Sequence, residues 1–298
     1  ASGGGVTSDA QENTVAGTNA GDSFSGTDAV ANTLFGYDAG TSITTGDNNT
    51  FFGHSAGETL TTASGNTLIG YDAGKAMTTA EKTVAVGYAA LDSQQTGYGN
   101  VAVGYAALNG STAGQRNIAI GYYAMAYGNL TSSSLGNIAI GEGAGVSLRT
   151  GASYNICIGY ESGYNATTNS NNILIGTSVA RYASGTNFSG ASNVVVGHSA
   201  FYSATNAEYN VAIGQSAMNS ISSGDYNVVV GGSAGRDITT GNKNVLVGYE
   251  AGNTGTNDLT TGANNIIIGY EAAASAATVD NEVTIGDANI TKFRIPGI

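Results

Sequence analysis

The chain has few of the residues that stabilise small folds or carry common chemistries. Among 298 residues there are one cysteine, one proline and no tryptophan, and only 10 % are charged. A single cysteine excludes an internal disulfide framework. No apolar run approaches the ~20 residues needed to cross a bilayer, which argues against membrane insertion. So few charged side chains also argue against amphipathic helices with a charged face.

The charges that are present are mostly negative. The formal net charge is −12, and only nine residues are Lys or Arg. Because phosphate binding needs clustered basic side chains, this composition argues against a nucleic-acid partner. Glycine is abundant, with 46 residues, but no Gly-rich phosphate-binding loop of the GxxxxGK[ST] type occurs.

One motif recurs along almost the whole chain: Asn, three mostly apolar residues, then Gly. The glycines of this motif are Gly17, Gly36, Gly53, Gly70, Gly87, Gly104, Gly121, Gly141, Gly159, Gly176, Gly197, Gly214, Gly231, Gly248, Gly269 and Gly286. Ten of the fifteen intervals are seventeen residues, and the others are 18, 19, 20, 21 and 21. This periodicity argues against disorder, and seventeen residues are too few for a helix-pair repeat.

The repeat predicts an all-β protein, a parallel β-solenoid or β-roll of about sixteen coils. Val, Ile, Phe and Leu between Asn and Gly favour a strand, and seventeen residues at about 3.3 Å each suffice for two short strands and two turns. The Thr-rich segments 41–49 and 236–244 are predicted to form the second strand and its return turn. Residues 1–12 are expected to be a lead-in, 13–286 the solenoid, and 287–298 a cap or a junction to a further domain.

The flanking residues of the motif have predicted structural roles. Asn precedes the glycine by four residues in fourteen of sixteen copies, with Thr83 and Glu282 as the exceptions. Stacked Asn amides should bond to one another and to the backbone as a ladder. The glycine is expected where the coil reverses, because glycine enters positive φ without strain at Cβ.

All three strand positions are apolar in most copies, so both faces of the strand are expected to be buried. One face must fill the solenoid, and the simplest partner for the other is another copy of the chain around an axis. The predicted interface consists of middle-strand residues: Ala85, Ala102, Ala119, Ala139 and Cys157. Cys157 is accordingly interpreted as a small buried hydrophobic residue and not as a nucleophile.

Tyrosine often follows the repeat glycine, which predicts a file of aromatic rings. Two interpretations remain: packing between the rings, or contact with a glycan. The candidate glycan contacts are Tyr71, Tyr88, Tyr105 and Tyr122. His54 and His198 occupy the same repeat position and are interpreted as substitutions in the file, so no metal site is predicted.

Acidic residues often stand two positions after the glycine. They are Asp38, Asp72, Glu161, Glu250 and Glu271. A glycosidase would need two carboxyl groups about 5–9 Å apart, and Glu250 and Glu271 are expected on adjacent coils. A solvated acidic edge explains the same pattern. No Ser-His-Asp or Cys-His set occurs, so no enzyme activity, catalytic residue or cofactor is predicted.

Adjacent Thr pairs, such as Thr44 with Thr45 and Thr239 with Thr240, suggest an alternative function in binding ice or another crystal surface. Neighbouring side chains on a strand point to opposite faces, however, and the coils from Gly87 to Gly159 lack such pairs.

The copies NVAVGYAAL, NIAIGYYAM and NVAIGQSAM resemble the head repeats of trimeric autotransporter adhesins. They are still more similar to repeats in bacteriophage tail-fibre proteins, and the resemblance covers about residues 13–286. It implies a left-handed, homotrimeric β-roll that serves as a virion tail-fibre shaft in host attachment. Expected partners are further copies of the chain, other virion tail proteins and a host-surface glycan or protein. The alternative is the head of a bacterial autotransporter adhesin on the cell surface.

Overall fold

A computed structural model describes residues 6–181, 187–292 and 294. Residues 1–5 of the predicted lead-in, and Phe293 and residues 295–298 of the predicted cap, lie outside the described part. The chain divides into two compact units, Ala1–Glu161 (unit 1) and Ser162–Ile298 (unit 2).

Both units are built from short strands joined by turns, and no helix occurs among the described residues. The strands of unit 1 are β1 (Thr7–Ser8), β2 (Thr14–Ala16), β3 (Thr33–Phe35), β4 (Thr50–Phe52), β5 (Thr67–Ile69), β6 (Val84–Val86), β7 (Val101–Val103), β8 (Ile118–Ile120), β9 (Ile138–Ile140) and β10 (Ile156–Ile158). The strands of unit 2 are β11 (Ile173–Ile175), β12 (Val194–Val196), β13 (Val211–Ile213), β14 (Val228–Val230), β15 (Val245–Val247), β16 (Ile266–Ile268) and β17 (Val283–Ile285). The predicted all-β parallel β-solenoid of about sixteen coils is confirmed.

Within each unit, successive repeat strands pair in parallel and in register. Ala102 of β7 lies beside Ala119 of β8 in unit 1, and Val195 of β12 lies beside Ala212 of β13 in unit 2. Strand β1 departs from this pattern and pairs antiparallel with β2. Because equivalent residues of adjacent coils lie side by side, a residue type repeated in every coil forms a file along the solenoid.

The predicted second strand is wrong. Segments 41–49 and 236–244 form no strand, although their backbone still bonds between coils, as where the N–H of Thr44 donates to the carbonyl of Thr61 at 2.9 Å. Both segments contain turns and bends. Each also contains a non-glycine residue with a left-handed φ, Asn48 at 58° and Lys243 at 57°. The turns after the repeat glycine have the same feature, as at Asp38 (55°) and Ser55 (54°). A residue in the left-handed region turns the backbone locally, so a segment that contains one cannot extend as a single strand.

The predicted Asn ladder is confirmed in both units. In unit 1, Oδ1 of Asn117 accepts hydrogen bonds from the backbone N–H of Asn137 at 2.9 Å and from its side-chain amide at 3.0 Å. The same amide also donates to the carbonyl of Ala152 at 2.8 Å. Asn227 binds Oδ1 of Asn210 in the same way in unit 2. The ladder is fully buried, so each rung satisfies donors that water cannot reach.

Other side chains continue the ladder at its ends. Asp9 lies below the first rung, where its two carboxylate oxygens accept the backbone N–H and the side-chain amide of Asn13, both at 2.9 Å. Desolvation favours a higher pKa for Asp9, but the hydrogen bonds from Asn13 outweigh it and hold this pKa below its ordinary value. At the last coil, the N–H of Glu282 donates to Oδ1 of Asn265 at 2.9 Å. The described part of the lead-in therefore caps the first coil.

The repeat glycine is needed for the close approach of successive coils. Gly53 has a φ of 143°, and a Cβ built on it would overlap the carbonyl oxygen of Gly70 in the next coil. The same overlap would occur between Gly104 and Gly121. The expectation of positive φ at this glycine is confirmed, and steric closeness adds a second reason for it.

The interior of many coils is filled by a compensating pair of side chains. A large middle-strand residue occurs with glycine four residues after the repeat glycine, as Leu68 does with Gly74, and a small one with a large partner, as Ala85 does with Leu91. Ala139 with Gly145 and Cys157 with Gly163 are exceptions. A Cβ built on Gly74 would lie 3.0 Å from both Cδ atoms of Leu68 and 2.6 Å from Sδ of Met77, which belongs to a flexible side chain that can move. Both positions are therefore constrained by one interior volume that must be filled without voids or clashes.

The ladder predicts a large cost for removing one internal rung. Asn117→Ala leaves the backbone N–H and the side-chain amide of Asn137 without their shared acceptor. Each buried unsatisfied donor costs about 1–3 kcal/mol, so we expect a loss of about 2–5 kcal/mol in urea unfolding followed by circular dichroism. The matched control is Asn109→Ala, which removes one hydrogen bond from a half-buried amide to Ala89. Similar losses in both variants would contradict the ladder's role.

Because the two interior positions share one volume, we predict that a double substitution destabilises the protein less than one of its single substitutions does. Leu68→Ala leaves a cavity and should cost about 2–5 kcal/mol. Gly74→Leu alone should overpack the same space. Together they reproduce the combination of Ala85 with Leu91, and Leu91 has a φ of 55° beside 60° for Gly74. We expect the double variant to be more stable than Leu68→Ala in urea unfolding; additive losses would contradict the shared volume.

Candidate functional site

The residues predicted to contact a neighbouring chain lie inside the coils instead. Ala85, Ala102, Ala119, Ala139 and Cys157 are fully buried within the single chain. In a three-residue strand the middle side chain points away from the face that carries its two neighbours. Since the middle side chain fills the coil, the prediction that these five residues form an oligomer interface is wrong.

The exposed side of the sheet is the face formed by the first and third residues of β2–β10 in unit 1 and of β11–β17 in unit 2, which we term the outer face. It consists of Thr, Val, Ile and Phe with one Ala, and carries no charge. Ile120 and Ile140 are each 37 % exposed, and Ile213 is 40 % exposed. Strands about 4.8 Å apart give the outer face roughly 400 Å² in unit 1 and roughly 300 Å² in unit 2. Monomers rarely expose larger contiguous apolar patches.

The predicted aromatic file is present in unit 1. It begins with Tyr37, His54 and Tyr71, whose ring centroids lie 5.0 and 4.9 Å apart. Tyr71, Tyr88, Tyr105 and Tyr122 follow at spacings of 5.3, 5.1 and 5.2 Å, with interplanar angles of 5°, 6° and 22°. His54 therefore replaces a tyrosine in the stack, as the sequence predicts.

Stacking limits what this file offers to a ligand. The rings between Tyr37 and Tyr122 have a neighbour on each face, so a ligand reaches only their edges and hydroxyl groups. A saccharide that packs on an aromatic ring needs a free face. The contact of Tyr71, Tyr88, Tyr105 and Tyr122 with a glycan stays a prediction, and the geometry favours the packing interpretation. The hydrogen bond with Tyr123 raises the pKa of Tyr122, which keeps that phenol neutral.

The carboxylates after the repeat glycine pair with nearby exposed groups. Glu250 interacts with Tyr249, and Glu271 with Tyr270, and the pKa of each tyrosine is raised chiefly by its hydrogen bond to the carboxylate. In unit 1, Asp72 lies 3.3 Å from the ammonium group of Lys75. These contacts match a solvated acidic edge and assign no catalytic role to the carboxylates.

Other functional groups are used within the fold. The first Thr of several pairs donates its hydroxyl to a backbone carbonyl of the next coil, as Thr78 does to Gln95 at 2.8 Å. Among the residues that the structure describes, no group of three His, Cys, Asp or Glu side chains could hold a metal ion, and no helix could cross a membrane.

No protein-family model matches the chain, and no curated protein matches it with significant similarity. The functional proposal therefore depends on the fold, its surfaces and the repeat itself.

Burial predicts that Cys157 is unreactive in the folded protein. Desolvation raises its pKa to about 12, so at pH 8 the thiol remains protonated and enclosed. We expect no reaction with a disulfide reagent such as 5,5′-dithiobis(2-nitrobenzoate) until the protein is unfolded. The matched control carries Cys157→Ala and Thr62→Cys, which moves the thiol to an exposed turn and should react at once. Rapid labelling of native Cys157 would place the middle position outside the coil.

Proposed function

We propose that the chain is a non-enzymatic structural fibre or adhesin, and specifically the shaft of an extracellular virion tail fibre that mediates host attachment. The observation that carries this proposal is the outer face, an uncharged and exposed apolar surface repeated in every coil. The resemblance of the repeat to bacteriophage tail fibres supports the biological context. The proposed partners are further copies of the chain, other virion tail proteins and a host-surface glycan or protein.

A second copy of the same chain is the partner that fits the outer face best. Each coil contributes two side chains to this face, and most of them are β-branched. A partner surface therefore matches every coil only if it has the same spacing between coils. Parallel copies around an axis provide this match along their whole length. The absence of charge on the face favours burial, because no desolvated ion has to be paired. The resemblance implies three copies and a left-handed coil.

The bacterial adhesin head remains the alternative, because it would use the same surface for the same mechanical role. Immunogold labelling of purified virions and of bacterial surfaces distinguishes the two. The ice-binding alternative gains no support from the Thr rows, since hydroxyls such as those of Thr61 and Thr78 already donate to backbone carbonyls.

The proposal predicts a trimer in solution that depends on the outer face. Multi-angle light scattering should give about three times the chain mass of 29.6 kDa. Ile120→Asp with Ile140→Asp should yield a folded monomer, because buried unpaired carboxylates at the interface cost several kcal/mol each. Circular dichroism checks that the variant is folded.

The matched control is Thr45→Asp with Thr62→Asp, which adds the same charge to exposed turns and should leave the trimer intact. Ala102→Asp with Ala119→Asp should unfold the chain, because both alanines are interior. A monomeric wild-type protein would overturn the proposed assembly.

A further inference from the structure

One groove in unit 1 differs from the repeating surface. It has a volume of about 520 Å³ and is lined by Thr79, Glu81, Lys82, Thr96, Gly97, Tyr98 and Gln115. The lining combines an aromatic ring with hydroxyl, carboxylate, ammonium and amide groups. Binding sites for small polar ligands have this combination of a packing surface and a few convergent polar groups.

The coil that supplies Thr96, Gly97 and Tyr98 to this groove breaks the repeat in its core. Thr83 replaces the ladder Asn, and Gln94 is fully buried at a position where the two preceding coils have Leu60 and Met77. The side-chain amide of Gln94 donates to the carbonyl of Thr96, and its Oε1 accepts from the side chain of Asn100 at 3.4 Å. Gln94 therefore both repairs the interrupted ladder and fixes the backbone that carries the groove.

Tyr98 differs from the tyrosines of the aromatic file. The guanidinium carbon of Arg116 lies 5.3 Å from its ring centroid, and Nη2 of Arg116 donates to its hydroxyl at 2.8 Å. Among the described residues, no other aromatic ring stacks on Tyr98. Arg116 lies over this ring, and Tyr98 lines the groove, whereas each inner ring of the file has an aromatic ring on both faces.

The polar side chains of the groove are not used elsewhere within the described part of the chain. The structure shows no side-chain hydrogen bond from Thr79, Glu81, Lys82, Thr96 or Gln115 to another described residue. Their backbone groups are held between coils, as where the N–H of Glu81 donates to the carbonyl of Gly97 at 3.2 Å. The groove therefore presents free donors and acceptors on a backbone that is already ordered, which lowers the entropic cost of binding.

We propose that this groove binds a neutral pyranose saccharide, which packs on Tyr98 and bonds through its hydroxyls to Glu81 and Gln115. This inference rests on the proposed adhesive function and names its ligand class. A neutral sugar fits because its hydroxyls donate to a carboxylate and exchange hydrogen bonds with an amide, while its apolar face covers an aromatic ring. Because one of the two proposed hydrogen-bonding partners is the carboxylate of Glu81, a neutral sugar is favoured over an anionic one at that position.

The test is saturation-transfer difference NMR on the full chain with methyl glucoside, methyl galactoside, methyl mannoside, N-acetylglucosamine and N-acetylneuraminic acid as probes. We expect at least one neutral probe to bind, with an affinity weakened about tenfold by Tyr98→Ala, as expected for loss of one aromatic contact. Tyr98→Phe should retain most of the affinity, because the ring face remains. Gln115→Ala should also weaken binding.

The matched control is Tyr88→Ala, which removes a stacked ring of the file and should leave binding unchanged. Binding of none of the neutral probes, stronger binding of N-acetylneuraminic acid, or equal binding by the Tyr98→Ala variant would overturn the proposal. Light scattering on the same variants separates the two proposals. A trimer that binds no saccharide would support the fibre proposal and contradict the saccharide proposal. A monomer that binds saccharide through Tyr98 would do the reverse.

Discussion

The structure depends on a pair of hydrogen bonds that recurs in each regular coil. The Oδ1 atom of one Asn accepts both the backbone N–H and the side-chain amide of the Asn one coil later. A one-residue slip would leave these donors unsatisfied in a dry interior, which costs far more than a slip on an exposed sheet edge. The ladder therefore fixes the register. Once the register is fixed, equivalent residues must lie side by side, and the aromatic file, the Thr rows and the outer face all follow.

The second constraint is the narrow interior that the ladder encloses. One side chain from the strand and one from the following turn share this space, so Leu68 is found with Gly74, and Ala102 with Leu108. The repeat glycines allow adjacent coils to approach until a Cβ would overlap a carbonyl oxygen, as at Gly53. Residues such as Asp38 and Ser55 adopt left-handed φ at a cost of about 1 kcal/mol or more each, and the hydrogen bonds between coils offset this cost.

The features that repeat at a fixed position were predictable from the sequence. The face of the strand that points into the coil was not. The period, the ladder and the role of glycine were predictable because each is a local requirement repeated many times. The buried face was not, because three consecutive apolar residues have no alternation that assigns an inside. A usable signal was present in many coils: a large middle residue such as Phe51 occurs with glycine four residues after the repeat glycine, and a small one such as Ala85 with a large residue there. Such compensation is expected of two positions that share one interior volume.

Two further misses have physical causes. The Thr-rich half-coil has the composition of a strand, yet non-glycine residues in left-handed conformations turn it, and composition does not reveal φ. The cap at Asp9 was not predicted, although an Asp four residues before Asn13 has a side chain of the same shape as the Asn that it replaces. In both cases the outcome is decided by hydrogen bonds to a neighbouring coil, which a single repeat does not display.

In-register stacking also decides where recognition of a compact ligand can arise. In a file of identical residues, each side chain covers the next, so repeated surface features expose edges and suit continuous contact with another repeating surface. An aromatic ring without a stacked aromatic neighbour, and polar side chains without hydrogen-bond partners among the described residues, arise where the repeat changes. Thr83 and Gln94 make such a change without breaking the fold, because the Gln amide replaces part of the lost rung. The coil in which Gln94 replaces an apolar core residue is also the coil that places Tyr98 in the groove.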